Sequence, residues 1–337
     1  MQTITCSETG IINIESQVIP GLSSGELLVR MNACGICGTD VTKVYDDYFR
    51  KPVQLGHELV ATVVESKNEN FRTGQRVAIA HHAPDYASHY TRRGSAPMDL
   101  QFKRSNIDPG GFAELIRIPE LLVQHTVLPV PDGMPDLRAV FMEPLACCLR
   151  ALDRILLLEG DTVVIVGVGA VGMLFVPLLR DRTINILVSD VRKERLELAK
   201  VWGASGDSLV SEGNIAELAK AETDRRGADV VILTVVTRAT LEVAMESVRD
   251  GGTILLFGTK PAQSFPINWW DIWRREINLI SSYSSTPDLL TRAMALLKRK
   301  DYALETLISH VLPLSEAPRG FQLVHDGAAS KVVITGE

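Results

Sequence analysis

Four short segments of the 337-residue chain carry side chains able to do chemistry: 32-NACGICGTDVTK-43, 55-LGHELV-60, 141-FMEPL-145 and 164-VIVGVGAVGML-174. The first places Cys34 and Cys37 three residues apart, a spacing shared by redox dithiols, by half of a zinc clip and by one working cysteine beside a packed neighbour. The second supplies His57 and Glu58, and the third supplies Glu143. Alone, a His before a strand is ordinarily structural, and a Glu before Pro ordinarily starts a helix. Together, thiolate, imidazole and carboxylate are the ligand types zinc accepts, and a catalytic site needs three of them with one position open.

The fourth segment offers different chemistry. Gly167, Gly169 and Gly172, with Ala170 and Val171 between the last two, follow a strand-like run and open a helical pattern. In that context the first glycine permits a tight turn, the second lets backbone approach a pyrophosphate, and the third lets helix pack on strand. The next strand-like run ends in Asp190, whose carboxylate would accept hydrogen bonds from adenosine ribose hydroxyls and repel a 2′-phosphate. NAD is therefore expected over NADP. Arg192 and Lys193 could tolerate a phosphate but equally suit a solvated first helical turn, and Arg195, Val235 and Gly258 are expected to complete the cofactor lining.

These segments need two kinds of scaffold. Up to about residue 135 the runs 26-ELLVRM-31, 59-LVATVVE-65 and 76-RVAIA-80 are short, β-rich and broken by turn residues. Beyond 128-LPVPDGMP-135 a helix is expected over 139–155, then strands at 162–167, 184–190, 229–235, 253–258 and 277–281 alternate with helices at 170–180, 192–202, 214–222 and 239–249. Near-continuous apolar strands separated by helices predict a parallel sheet covered on both faces. A helix over 287–299 and a strand at 331–335 fall outside this alternation and could return to the first lobe.

Composition narrows the classes further. Apolar residues make up 46% and charged residues 23%, and no apolar run approaches the ~18 residues of a membrane span. A net charge of −6 without a basic cluster argues against nucleic acid as partner. Five cysteines, an odd number, and an N-terminus unlike an export signal make a disulfide framework improbable and a cytoplasmic location expected. Adjacent Cys147 and Cys148, in an apolar run, are expected to be buried thiols.

In order and separation, GICGTD, GHE, 110-GGFAEL-115, MEP and GVGAVG resemble the zinc-containing medium-chain dehydrogenases, and most nearly their polyol branch, which includes sorbitol and threonine dehydrogenases. The resemblance covers essentially the whole chain. It implies an α/β protein with a doubly wound parallel Rossmann domain and a β-rich GroES-like catalytic domain. The catalytic domain would span 1–144, completed by 283–337, and the NAD-binding domain 145–282. It further implies that Cys37 binds zinc with Cys34 as its neighbour, and that the Thr39 hydroxyl passes the substrate's proton towards the cofactor. Zinc as a Lewis acid lowers the pKa of a coordinated hydroxyl from ~16 to near 7. One thiolate, one neutral imidazole and one carboxylate balance its double charge, so Cys37 and His57 are expected as constant ligands, with Glu58 and Glu143 not both firmly bound. A homodimer or homotetramer is also implied.

Two departures qualify the resemblance. Many relatives carry a relay histidine five residues past the ligand cysteine; here that position is Thr42, which cannot titrate near neutrality, so slower or higher-pH oxidation is expected. The C-x2-C-x2-C-x7-C spacing of a structural zinc falls on Pro84, Ala87, Tyr90 and Met98, none a ligand, so one zinc per chain is expected. The nearby His81, His82 and His89 read as exposed loop residues. Apolar packing of Tyr86, Tyr90 and Met98, or a neighbouring subunit, is expected to hold this segment.

Tyr45, Phe49, the 102–112 loop and Tyr283 are expected to line a pocket for a polar alcohol or ketone. Trp269, Trp270 and Trp273 could mark a subunit contact or a helix packed on the sheet. The expected activity is hydride transfer between NAD(H) and a secondary alcohol or ketone of a polyol, cyclitol or amino alcohol. A zinc-free enone or quinone reductase, which has no use for the ligand trio, and a non-catalytic NAD-binding sensor or scaffold are the alternatives.

Overall fold

A computed structural model describes residues 1–19, 21–210, 213–261 and 263–336. The chain divides into two compact units, Met1–Ala146 with Ser285–Glu337, and Cys147–Ser284.

In the discontinuous unit, strand Leu27–Gly35 is the organiser. One edge pairs antiparallel with Glu58–Ser66; the other pairs with Leu115–Ile118 along residues 27–30 and with Lys331–Thr335 along residues 33–35. The sheet continues from Glu58–Ser66 through Arg76–Ile79 to Val127–Pro129, and from Lys331–Thr335 to Ile308–Pro313. Its apolar faces, including Val29, Met31, Val63, Ile79, Ile116, Phe112 and Phe321, form one buried core. The register of the central strand defines one corner of the sheet. Gly35 lies opposite both Glu58 and Val333, so Glu58, Lys331 and the turn entering Cys37 meet there. Glycine is required at this crossing, because a Cβ on Gly35 would run into the Glu58 carboxylate and the Lys331 stem.

The contiguous unit is a six-stranded, all-parallel sheet. Its strands run in the order Gly206–Leu209, Asn185–Asp190, Thr162–Val166, Ala228–Leu233, Val248–Leu256, Asn278–Ser281. Numbered within the unit this is the 3-2-1-4-5-6 order of a doubly wound dinucleotide fold, with the topological switch beside Thr162–Val166. Helices Gly172–Arg180, Lys193–Trp202, Ile215–Ala221 and Arg238–Ser247 provide the covering layers. Fully buried Val164, Ile165, Leu187, Val231, Ile232 and Ile254 are the near-continuous apolar strands this requires. Cys148 is buried, as expected, whereas Cys147 is partly exposed.

The segment after Arg76–Ile79 corrects two expectations. Tyr86, Tyr90 and Met98 are 50%, 51% and 40% exposed, so they form no apolar lock. His81 and His82 are half-buried, their rings 3.6 Å apart, and His89 alone of the three is exposed. The segment is held instead by oxygen atoms. Moved one residue along from the frame read in the sequence, the same spacing falls on Asp85, Ser88, Thr91 and Asp99. The Asp99 carboxylate, 5% exposed, accepts from the backbone N–H of Asp85 and Phe102, both at 3.1 Å, and lies against the Ser88 hydroxyl. Ser88 Oγ donates to Thr91 Oγ1 at 3.0 Å and accepts from Thr91 N at 3.2 Å. Asp85 Oδ1 accepts from Ala87 N at 2.8 Å. Burial alone would raise the Asp99 pKa, but these hydrogen bonds hold it below the ordinary value.

Candidate active site

In the discontinuous unit the ligand atoms of Cys37, His57 and Glu58 all lie within 4.8 Å of one another. Cys37 arrives as the N-cap of helix Gly38–Tyr45, where its sulfur accepts from Thr39 N at 3.5 Å. Asp40, three residues on, closes a capping box by accepting from Cys37 N at 3.3 Å. Its other oxygen accepts from Gly56 N at 3.1 Å and stands 3.3 Å from His57 Nδ1. One fully buried carboxylate thereby fixes both ligand-bearing segments. The His57–Asp40 contact has ion-pair distance but lacks hydrogen-bond alignment, so His57 Nδ1 is a buried nitrogen without a hydrogen-bond partner.

The electrostatics suit a cation. Burial opposes charge on His57, yet Asp40 and the Cys37 sulfur outweigh it and raise the imidazole pKa well above its ordinary value. Lys331 reaches the same corner, pairing with Glu58 and donating to Ile36 O at 3.2 Å. Burial would lower its pKa, but Glu58 raises it and keeps the ammonium charged. Glu58 Oε1 is left buried with no hydrogen-bond partner. A thiol, an imidazole and a carboxylate oxygen within one ion's reach, on a carboxylate with one oxygen unpaired, are what tetrahedral zinc takes, so the residues present fit that metal. Glu143, in the first turn of helix Met142–Leu152 and 6% exposed, lies outside this group. Cys34 is fully buried; burial, then Asp40 and Glu58, push its thiol pKa well above the ordinary value, the opposite of a reactive dithiol.

In the contiguous unit, Gly167 adopts φ +89°, and a Cβ on Gly172 would strike the Gly167 carbonyl. A Cβ on Gly169 would meet Arg195 alone, at 3.7 Å, so the second glycine faces open space. Ala170 and Val171 are partly exposed at the start of helix Gly172–Arg180. Asp190 is buried; it accepts from Val168 N at 2.8 Å and Arg192 N at 3.0 Å, and Arg195 lies 3.5 Å from it. Thr234 Oγ1 donates to Gly167 O at 2.7 Å and ties the glycine turn to the neighbouring strand. Beyond it Val235 is 52% exposed, and a Cβ on Gly258 would meet the Thr234 carbonyl. A small cavity lined by Val166, Ser189, Ser208, Val210, Asn214 and Thr240 lies by the ends of the first three strands, and its lining includes neither the Gly167–Gly172 turn nor Asp190.

Residues 23–132 match the alcohol dehydrogenase GroES-like domain, and residues 170–299 the zinc-binding dehydrogenase domain. A sorbitol dehydrogenase of Bacillus subtilis (strain 168) is 30% identical over 298 residues, covering 85% of this chain and 83% of its own. The chain belongs to the zinc-containing medium-chain dehydrogenases. Solved structures agree in fold. The alcohol dehydrogenase of Thermus sp. ATN1 is 26% identical with a TM-score of 0.89, covering 99% of each chain. A zinc-binding dehydrogenase of Sinorhizobium meliloti 1021 bound to NADP is 27% identical with a TM-score of 0.87, covering 99% of this chain and 98% of its own.

Within this dehydrogenase Thr39 is exposed beside Cys37, while the Thr42 hydroxyl is committed to Gly38 O at 2.9 Å, within its own helix. The expected pocket lining is partly corrected. Tyr45 stacks on His325 with ring centroids 4.0 Å apart and donates to Gln322 Oε1, so it braces two helices. Phe102 and Phe112 are core residues, 2% and 1% exposed. Phe49 is partly exposed and Tyr283 is 57% exposed. His81, read from sequence as a loop residue, instead lies with its ring centroid 4.7 Å from that of His57. Asp40 and Lys331 escape a reading of the sequence. Asp40 has a local signal, its place three residues after Cys37, whereas Lys331 joins Glu58 across 273 residues of chain and has none. The Trp269, Trp270 and Trp273 side chains are 66%, 62% and 70% exposed, which removes the reading of a helix packed on the sheet by these rings. Among the described residues no helix is long and apolar enough to cross a membrane.

Proposed function

We propose that this dehydrogenase transfers hydride between a secondary carbinol of a polyol, cyclitol or amino alcohol and NAD, with one zinc ion held by Cys37, His57 and Glu58. The observation that carries the reading is the convergence of those three ligand atoms within 4.8 Å, on a Glu58 carboxylate whose Oε1 has no hydrogen-bond partner. Glu143, outside that trio, is the further carboxylate, acting through water or by exchange with Glu58. When bound, zinc supplies Lewis acidity to a substrate hydroxyl and the nicotinamide ring accepts hydride.

The chain's own residues supply the rest. Asp40 orients His57 from behind, as carboxylates do for metal-binding imidazoles. Lys331 balances one Glu58 oxygen and leaves the other for the metal. The exposed Thr39 hydroxyl accepts the substrate's proton and hands it on; with Thr42 bonded to Gly38 O, that proton leaves to water or another base. The glycine turn at Gly167–Gly172 and Asp190 receive pyrophosphate and ribose, and the Asp190 charge favours NAD. The exposed tryptophans on helix Trp269–Arg274 are read as a subunit contact of a homodimer or homotetramer.

Metal analysis combined with NADH formation on a panel of polyols tests the reading. One zinc per chain and NADH with at least one polyol are expected. A zinc-free protein reducing enones or quinones, or an inert NAD-binding protein, would replace it.

A further inference from the structure

From His57 of the Cys37–His57–Glu58 cluster a run of ring contacts and hydrogen bonds leads outward, and the reaction itself does not explain it. From His57 it passes to the His81 ring, 4.7 Å away, and on to His82, 3.6 Å further. His82 Nδ1 donates to Ser105 O at 2.6 Å, and the next residue, Asn106, donates from Nδ2 to Gln54 Oε1 at 2.6 Å. Gln54 O in turn accepts from Lys43 Nζ at 3.2 Å. Lys43 stands one helical turn after Thr39, in the helix that Cys37 caps, so its stem inclines back towards the helix N-terminus and the metal ligands. Gln54 lies three residues before His57 in the chain.

Lys43 is the ammonium at the outer end of these contacts, and among the described residues no carboxylate pairs with it. Its positive charge is felt at Asp40, His81 and His82. The acids nearby are already spoken for, Asp40 by His57 and backbone donors and Glu58 by Lys331. A neutral polyol would need none of this positive charge, since hydroxyls are met as well by amides and carbonyls. An ammonium held at the rim with no counter-ion suits an oxyanion.

We propose that the substrate carries an anionic group, the carboxylate of a polyhydroxy acid or the phosphate of a polyol phosphate ester, which Lys43 and Asn106 receive while its carbinol sits at Cys37, His57 and Glu58. This rests on the dehydrogenase reading above and names its substrate class. In the reaction a carbinol C–H bond breaks and its hydride passes to NAD⁺, the hydroxyl proton leaves, and a C=O bond forms, giving ketone, NADH and one proton. The anionic group is unchanged.

The test compares matched neutral polyols, aldonic acids and polyol phosphates on the zinc-loaded protein and on its Lys43→Gln and Lys43→Arg variants. One anionic series should exceed its neutral counterpart in kcat/KM by at least about tenfold, and the better of the two identifies the oxyanion. Lys43→Gln should shrink that advantage by about 10- to 100-fold, Lys43→Arg should keep most of it, and added salt should erode it. Equal use of neutral and anionic substrates, or an advantage unmoved by Lys43→Gln in a variant that melts like the parent, overturns the proposal. Calorimetric titration with inorganic phosphate and with an aldonate separates the two readings. Anion binding lost in Lys43→Gln, without turnover of any polyol, keeps the Lys43 assignment and sinks the dehydrogenase reading. Polyol turnover with no anion binding to either protein does the reverse.

Discussion

The discontinuous unit contains two segments where the spacing of residues suits a metal, and they have resolved that opportunity in opposite ways. At Cys37, His57 and Glu58 the donors converge but are not all satisfied: Glu58 Oε1 is buried without a hydrogen-bond partner, and the cluster leans on Lys331 and Asp40 to balance its charge. At Asp85, Ser88, Thr91 and Asp99 the side chains and nearby N–H groups answer one another's hydrogen bonds. Both segments carry acids, so the presence of acids does not distinguish a metal site. What distinguishes it is whether the buried donors are already paired. An unpaired buried oxygen costs about 1–3 kcal/mol and marks a place where something else completes the set.

The contrast can be broken at either end. The largest effect is expected for Cys37→Ala, which should lose zinc and cut turnover on the order of a thousandfold, since Lewis acidity is worth several kcal/mol in such reactions. Metal content and steady-state rates measure this, and Cys34→Ala should keep its zinc. Next, Asp40→Asn, which leaves the ligands intact but removes the charge behind His57, should weaken zinc binding about 10- to 100-fold in a chelator competition. At the other segment, Asp99→Ala removes the N-cap of helix Leu100–Arg104 and an acceptor for Asp85 N. A loss of about 1–3 kcal/mol by urea titration, with zinc content unchanged, is expected; loss of zinc there would erase the distinction.

The smallest effect is a pH slope from His82, which joins the two segments. Its folded pKa of about 4 lies below the ordinary value, so the unfolded chain binds the extra proton first. Its contribution is complete above about pH 6.5 and declines as the pH falls towards 4. His82→Gln should flatten the stability profile across that window.

Much of this arrangement is legible in residue types. The strand at 331–335 and most of the alternating elements lie within a few residues of where periodicity puts them, because strands buried on both faces and amphipathic helices leave different patterns. Gly206–Leu209 escapes that reading, since GDSL has neither alternation nor an apolar run and is ordered by its neighbour strand. Cys37, His57 and Glu58 can be named because ligand chemistry restricts residue type. Tyr45 is misread because an aromatic's identity does not say which way it points, and here it turns to His325. In the 81–110 segment, without cysteines, nothing local pins the spacing. Only the hydrogen bonds of Asp99 reveal which four positions belong together.

The ion pair between Lys331 and Glu58 bears on how the protein is made. The ribosome delivers Cys37, His57 and Glu58 early, yet the strand bearing Lys331 emerges only after the whole of Cys147–Ser284 has been synthesised. At about 5–20 residues per second, the 273 residues from Glu58 to Lys331 delay it by some tens of seconds. During that interval the nascent lobe holds a thiol and two acids without their ammonium partner. Its last strand, arriving late, is what finishes the pocket.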